Sequence, residues 1–490
     1  MSTIYALASG PVPSGVAIIR VSGPRASHAV KALTAQSQLP APRTLSLRTL
    51  SDPKTAKILD RGMVAWFPSP RSFTGEEIAE FHVHGGRAVV QGVMSVLRDL
   101  PHFALAERGE FTRRAFERGK LDLLQVEAVA DVVAANTNVQ LEQALHQAGG
   151  AVSQKYESWR AQIIRMLAHV EASIDFGDDE DDVDDLEILH ELQLNIATLR
   201  NQLKETLEDR RGVSIRDGVR VAIVGPPNAG KSTLLNLLAS RDVAIVSDIP
   251  GTTRDVIEVR VNVGGYNVLL SDTAGVRRET DDVLERAGME RAEMTAHEAD
   301  MVLCMFDIET LEEDVLDIDA ILERRDPSNN GSESRRRPPV IVAANKMDIT
   351  GLGGGHLPTH CHLPLYLRSS VDVDDFHYIS CHENIGIKSL IESLEKNLIN
   401  YFDQGSMEEG GGRDEGEPAF VTRERHRVHL AECEKMLASA MLHMGDSHHA
   451  AVELAAEDLR LAASSLGRIG GKIDPEEILD AIFFEFCIGK

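Results

Sequence analysis

No stretch of this 490-residue chain approaches the ~20 consecutive apolar residues that cross a bilayer. No membrane partner is therefore expected. Met1 to Gly10 lack the basic, apolar, cleavage-site layout of a signal peptide and are not an Arg/Ser-rich presequence. A bacterial cytoplasmic location is expected ahead of an organelle matrix. Cysteine is scarce: Cys304, Cys361, Cys381, Cys433 and Cys487 are odd in number, widely spaced and form no C-x-x-C pair. That argues against a disulfide framework and fits a reducing compartment. Aromatic residues make up only 4%, so cores built from Leu, Ala, Ile and Val are expected. His356, His360, Cys361 and His362 could suggest zinc, but a polar loop fits better, because structural zinc sites want paired ligands at fixed spacing.

Acidic residues are absent from the first 51 positions, while Arg20, Arg25, Lys31, Arg43 and Arg48 precede Asp52. A second basic cluster follows at Arg113, Arg114, Arg118 and Lys120. The whole chain nevertheless carries a net charge of −26, which argues against non-specific wrapping of nucleic acid. Much of the acid lies between Asp175 and Glu187, where nine of thirteen residues are Asp or Glu. That run reads as a solvated linker. An anionic partner can still be held locally, near the basic N-terminal third.

Hydrophobic periodicity divides the chain. Residues 1–118 read as mixed α/β, with strands predicted at Val16–Val21, Gly62–Phe67 and Ile78–His84. His82 and His84 fall on one face of the last of these, as a hydrogen-bonded structural pair or, less simply, as metal ligands. Residues 119–217 turn helical. Ile163, Leu167, Val170 and Ile174, and then Leu192, Ile196, Leu199 and Leu203, each make one apolar stripe. Residues 218–402 alternate strands with helices in the rhythm of a parallel sheet. Residues 326–339 read as a surface insertion and 403–418 as a Gly/Glu-rich linker. Helical patterning returns over 419–490. The expected fold is multidomain, α/β plus all-α: an N-terminal α/β domain, then a helical domain interrupted by an inserted Ras-like P-loop domain, whose parallel-dominated sheet has helices on both faces.

The inserted domain carries the clearest chemistry. Gly225-Pro-Pro-Asn228-Ala229-Gly230-Lys231-Ser232 matches G-x-x-x-x-G-K-[ST] and lies between a strand and a helix opening with Ser232-Thr233. Glycines let backbone N–H groups surround phosphates, and the helix N-terminus adds its positive end. Lys231 suits the β/γ-phosphates and the Ser232 hydroxyl suits magnesium. Thr253 is the candidate second hydroxyl on magnesium, within Ser247-Asp248-Ile249-Pro250-Gly251-Thr252-Thr253-Arg254-Asp255. Asp272-Thr273-Ala274-Gly275 follows a strand and suits the magnesium shell and γ-phosphate. In Asn345-Lys346-Met347-Asp348 the Asp348 carboxylate can accept both donors that guanine presents and adenine lacks, which selects GTP. Ser380-Cys381-His382 suits a backbone contact to the base. Val276, after Gly275, cannot orient water as a Gln would.

Several segments together resemble the MnmE (TrmE) family of tRNA-modification GTPases. They are the P-loop, Gly251-Thr-Thr-Arg-Asp255, Val16–Gly23, Ser72–Glu76, His84–Gly86, Gly109–Thr112, Lys120–Asp122 and Phe486–Lys490. The resemblance spans essentially the whole chain. It implies a homodimeric, magnesium- and potassium-dependent GTPase. With the FAD- and NADH-dependent protein MnmG, in a heterotetramer, it would install an aminomethyl or carboxymethylaminomethyl group on the wobble uridine of certain tRNAs. The carbon would come from 5,10-methylene-tetrahydrofolate, for which 5-formyl-tetrahydrofolate is an analogue.

Residue by residue, the resemblance implies folate contacts at Arg20, Glu80, Lys120 and Lys490. It implies potassium ligands at Asn228, Ser247, Ile249 and Thr252, a water-positioning acid at Glu285 and a required cysteine at Cys487. Taken alone, Arg20 reads as a strand-end charge flanked by apolar residues, Glu285 as a solvated helix carboxylate and Cys487 as a buried apolar cysteine. Cys381 replaces the family's usual Ala, and the 326–339 insertion departs from its pattern. A ribosome-assembly GTPase is the alternative reading, with a GTP-regulated folate enzyme or a GTP-dependent scaffold behind it.

Overall fold

The computed structural model describes residues 2–176, 182–209, 211–226, 228–240, 258–272, 299–309, 339–349, 375–403, 419–444, 449–473 and 489. The chain forms two compact units. One comprises Met1–Val133, Ala144–Lys204 and Val428–Lys490, the other Ala134–Gln143 and Glu205–Arg427.

The first unit opens with a six-stranded sheet: β1 (Thr3–Leu7), β2 (Ser14–Ser22), β3 (Ser46–Ser51), β4 (Ile58–Phe67), β5 (Ile78–Gly85) and β6 (Phe103–Leu105). Its order is β3-β4-β5-β2-β1-β6, antiparallel throughout except for the parallel β1–β6 pair. The predicted strands Val16–Val21, Gly62–Phe67 and Ile78–His84 lie within β2, β4 and β5. Period-2 patterning sorts the two faces. Ala17, Ile19, Val21, Phe81 and Val83 are buried against α1 (Ala26–Thr34) and α2 (Arg87–Asp99), whose Val30, Leu33, Val93 and Leu97 complete one core. The opposite face presents Arg20, Glu80 and His82. It is bordered by α3 (Glu110–Glu117), whose Phe111 joins Ile4, Ala6 and Ala106 in a small second cluster.

Helices follow: α4 (Leu123–Ala134), α5 (Asn138–Ala148), α6 (Ala151–Phe176) and α7 (Asp182–Glu208). The predicted stripe of α7 is buried at Leu192, Ile196, Leu199 and Leu203. On α6, Ile163 and Val170 are buried, while Leu167 and Ile174 are only half-buried and Met166 is covered instead. A helix flanked on more than one side buries a wider arc than a single i, i+4 row.

The second unit contains β7 (Val219–Val224), β8 (Glu258–Val263), β9 (Tyr266–Asp272), β10 (Met301–Asp307), β11 (Val340–Asn345) and β12 (Asp375–Tyr378), with α8 (Arg211–Asp217), α9 (Lys231–Ala239) and α10 (Ile387–Asp403). The sheet order is β12-β11-β10-β7-β9-β8, parallel except for the β8–β9 hairpin. All six residues of β11 are buried, as a strand covered on both faces requires. Leu234, Leu235 and Leu238 of α9 and Leu390, Leu394 and Leu398 of α10 pack one face. Val224, Val302, Cys304, Phe306 and Val342 form the core of the other.

The chain then returns to the first unit through α11 (Glu424–Met444) and α12 (His449–Ile469). α12 packs along α6, where Arg460 Nη2 meets Glu171 Oε1 at 2.7 Å. Arg200 of α7 reaches Glu434 of α11 at 2.6 Å. Among the described residues, no helix is long and apolar enough to cross a membrane.

Candidate functional site

The P-loop joins β7 to α9 at the carboxyl edge of the parallel sheet, the edge on which such sheets bind ligands. Its glycines are demanded by crowding. A Cβ on Gly225 (φ +150°) would lie 1.9 Å from the Met305 carbonyl oxygen, and one on Gly230 (φ +99°) 2.2 Å from Asn345 Nδ2. Asn228, exposed, sits in the left-handed region at φ +65°. Lys231 is 5% exposed, and its ammonium donates to the carbonyls of Gly225 at 2.6 Å and Pro226 at 2.7 Å. Ser232 and Thr233 are exposed on the first turn of α9, where helix N–H groups and the dipole favour an anion. The β7–β9 register sets Asp272 beside Ile223, one residue before the end of β7.

Asn345, at the end of β11, ties this loop to a second one. Its Nδ2 donates to the Ala229 carbonyl at 2.9 Å, and its Oδ1 accepts from the Cys381 N–H at 3.0 Å. Lys346, at φ +67°, turns the chain and pairs with Asp307 at 2.6 Å. Asp348 accepts a 2.6 Å hydrogen bond from the Ser380 hydroxyl. That bond holds its carboxyl below the usual carboxylate range, so it stays an ionised, acceptor-only group at neutral pH. Ser380 Oγ in turn accepts from the Glu383 N–H at 3.1 Å. Burial, with Asp348 nearby, pushes the Cys381 thiol up to about 11, so it is an unreactive neutral side chain lining the loop. His382 is exposed beside Glu383.

On the free face of the first unit's sheet, the β2–β5 register sets Arg20 directly opposite Glu80. Arg20 Nε donates to Glu80 Oε1 at 3.0 Å, with the two side chains 23% and 16% exposed. The guanidinium lies 5.7 Å from the Phe73 ring and 5.8 Å from the Phe111 ring. His82 Nε2 stands 3.3 Å from Glu80 Oε2, and His84 Nδ1 stands 2.8 Å from Asp60 Oδ1. Both histidines are thus hydrogen-bonded to carboxylates, and no metal-ligating cluster of three or more groups occurs among the described residues.

The loop carrying Phe73 is anchored by an ion cluster. Glu76, its side chain 2% exposed, meets Arg114 at 3.1 Å and Arg118 at 2.9 Å and accepts from the Ser22 hydroxyl at 2.8 Å. Gly75, at φ +75°, lies so close to the segment after α3 that a Cβ there would be 3.3 Å from both Arg118 Cδ and Lys120 Cγ. Lys120 itself is exposed. Gly489 sits at φ +105° against the end of β1, where a Cβ would lie 2.2 Å from the Leu7 carbonyl oxygen.

Arg20 and Glu80 are therefore in contact, and Asn345 joins the P-loop to the Ser380–His382 loop. Ser247, Asp248, Ile249, Pro250, Gly251, Thr252, Thr253, Thr273, Ala274, Gly275, Val276, Glu285, Cys487 and Lys490 lie outside the described residues, as do His356–His362 and all of the 326–339 insertion but Pro339. Sequence reasoning missed Asp307, whose signal was an acid closing the apolar run MVLCMF. It also missed Phe73 and Phe111, and it did not pair Glu76 with Arg114 and Arg118.

Two family descriptions match the chain: "GTP-binding protein TrmE N-terminus" over residues 3–120 and "MnmE helical domain" over residues 123–487. The tRNA modification GTPase MnmE of Parvibaculum lavamentivorans is 43% identical over 491 residues, covering 100% of both chains. The mitochondrial 5-taurinomethyluridine-[tRNA] synthase subunit GTPB3 of Danio rerio is 42% identical over 489 residues, covering 100% of this chain and 93% of that one. Its Homo sapiens namesake is 42% identical over 497 residues with the same coverage.

Proposed function

Because the chain belongs to the MnmE (TrmE) family, we propose that it is a GTP hydrolase working in the modification of wobble uridine in tRNA. The observation that carries this reading is the Asp348–Ser380 pair, held to the P-loop by Asn345 in a chain similar to tRNA-modification enzymes along its whole length. A fixed, ionised carboxylate accepts guanine's ring N–H and exocyclic amine together, and adenine would leave it unpaired.

Hydrolysis on this reading rests on placed charge. Lys231 meets the β/γ-phosphates, and the first-turn amides of α9 meet their oxygens. Ser232, Thr253 and the Asp272 carboxylate would hold magnesium, which supplies positive charge to the phosphates when bound. Val276 leaves the attacking water to Glu285. Asn228, Ser247, Ile249 and Thr252 would hold potassium, an added positive charge where an arginine finger acts in related enzymes. The left-handed, exposed Asn228 suits that role.

The one-carbon chemistry belongs to the first unit on this reading. A carboxylate and an arginine paired on a half-exposed sheet face, between two aromatic rings, suit the polar edge and flat ring of a folate. Arg20, Glu80 and Lys120 would hold 5,10-methylene-tetrahydrofolate. The packing of Gly489 on Leu7, a neighbour of Arg20's strand, supports a contribution from Lys490 and Cys487. The domains would be 1–118 for folate, 119–217 with 419–490 for the helical body, 218–402 for GTP and 403–418 as a linker. A homodimer acting with MnmG in a bacterial cytoplasm completes the proposal. A ribosome-assembly GTPase would follow its nucleotide domain with a basic RNA-binding module, whereas residues 424–444 and 449–469 form α11 and α12.

The test is nucleoside analysis of tRNA from a strain lacking the gene, complemented with wild type or Asp348→Asn. The 5-substituted wobble uridine should vanish in the deletion, return with wild type and stay low with the variant. Unchanged nucleosides in the deletion strain would overturn the reading.

A further inference from the structure

Residues 1–120 hold sixteen Lys and Arg against nine Asp and Glu, a surplus of positive charge within a chain of net charge −26. Part of that surplus gathers around one loop. Arg71 is exposed at its start, and its carbonyl accepts a 2.5 Å hydrogen bond from exposed Arg43. Arg118 and Lys120 lie against Gly75 near its end. Between them in sequence is Phe73, 38% exposed and 5.7 Å from the Arg20 guanidinium. The loop is stapled, with Ser69 Oγ donating to the Gly75 carbonyl at 2.9 Å and Ser72 Oγ to the Glu76 carbonyl at 2.5 Å. Glu76 is buried beneath it and paired with Arg114 and Arg118, so its charge is offset from within and Arg43 and Arg71 leave the exposed rim of the loop cationic.

A stapled loop that combines several exposed cations with one exposed aromatic ring matches what proteins use for single-stranded nucleic acid. Cations track phosphates and the ring stacks an unpaired base. Duplex RNA is read instead by shape across a broad minor groove. We infer that Arg43, Arg71, Arg118 and Phe73 form a docking rim for the unpaired anticodon loop of tRNA, beside the Arg20–Glu80 face. The inference rests on the proposed function and adds the surface by which the RNA is held. Approach here would bring the wobble base next to the face suited to the one-carbon donor.

The test uses the full-length protein and a fluorescently labelled anticodon stem-loop RNA, with affinity measured across a potassium chloride series. The double variant Arg43→Glu/Arg71→Glu should bind RNA more weakly. Its log–log salt dependence should be shallower by about 0.7 for each lost phosphate contact. Phe73→Ala should lose about fivefold or more through stacking. GTP turnover of the double variant should match wild type, and its urea unfolding curve should overlay that of wild type, which shows that the unit carrying Arg43 and Arg71 has folded. RNA affinity unchanged in a variant with normal turnover would overturn the rim, as would wild type that binds no RNA. Weakened 5-formyl-tetrahydrofolate binding with unchanged RNA binding would assign the cations to the small anion and overturn it too. A rim that binds RNA in a protein whose deletion leaves wobble uridine unaltered would separate the surface, which then stands, from the function, which then falls.

Discussion

Asn345 and Ala229 are joined by a 2.9 Å hydrogen bond across 116 residues of sequence, from the side-chain amide to the P-loop carbonyl. The same side chain accepts from Cys381, so one buried amide sets the spacing between the P-loop and the Ser380–His382 loop. Asn345→Ala would strand a carbonyl and an N–H, each worth roughly 1–3 kcal/mol when buried and unpaired. GTP and GDP affinity should both fall by about tenfold or more in equilibrium titration. Unchanged affinities would remove Asn345 from this coupling.

Asp348→Asn should shift base preference from guanine toward xanthine, whose exocyclic oxygen wants a donor. Competition binding with GTP, XTP and ATP measures it. An unaltered ranking would dissociate Asp348 from the base.

The Ser380 hydroxyl depresses the Asp348 pKa, so on the proposed reading guanine binding by this carboxylate should be complete above the ordinary carboxylate range and lost only as pH falls through the depressed value. Ser380→Ala should move that loss to higher pH. GTP affinity profiles from neutral pH down to about 4, compared between wild type and variant, should separate on the acid side and converge near neutrality. Superimposable profiles would contradict the arrangement.

Glu76→Gln should destabilise the first unit, because it leaves the mostly buried Arg114 with a weakened network. The expected loss is about 3 kcal/mol, read from the earliest transition in urea unfolding. Glu76→Asp should recover little, since the shorter side chain cannot span Arg114, Arg118 and Ser22 together. A loss below about 1 kcal/mol would mean that the cluster is solvent-screened.

Potassium should raise GTP turnover steeply and sodium should not. Asn228→Ala should flatten the potassium response while nucleotide binding survives. Charge stabilisation of this kind accounts for about 10³–10⁵ in related sites, so the contrast should be large. Equal turnover in the two salts would discard the cation mechanism and leave GTP hydrolysis standing.

The parallel sheet was readable because strands covered on both faces, such as β10 and β11, are near-continuous apolar runs. Their order across the sheet was not read, since it depends on crossovers that no local motif encodes. β3 was not readable: SLRTLS buries only Leu50, as an edge strand with a solvated face can. β6 has only three residues, Phe103–Leu105, too few for a period. Within the candidate sites, local motifs revealed Lys231 and Asp348, whose spacing within one turn or loop fixes their chemistry. Arg20 and Glu80 came through family resemblance as folate contacts, and their pairing with each other was not read, since it depends on the register of β2 against β5. The partners of Glu76 lie 38 and 42 residues away, on α3 and just past its end, and no local pattern links a loop acid to a helix that distant.

The pairing of α6 with α12 also bears on how the protein is made. α6 ends at Phe176 and α12 begins at His449, so the ribosome must add the entire nucleotide-binding unit before the first helix can meet its partner. At roughly 5–20 residues per second, that is a wait of about 15–50 s. Throughout it, α6, with its apolar Ile163 and Val170, lacks the helix that packs along it in the finished fold, while the parallel sheet can already close. The nascent chain should therefore be a client for chaperones that shield hydrophobic surface. Mutations that slow elongation between the two helices should lower the yield of native protein without altering any contact in it.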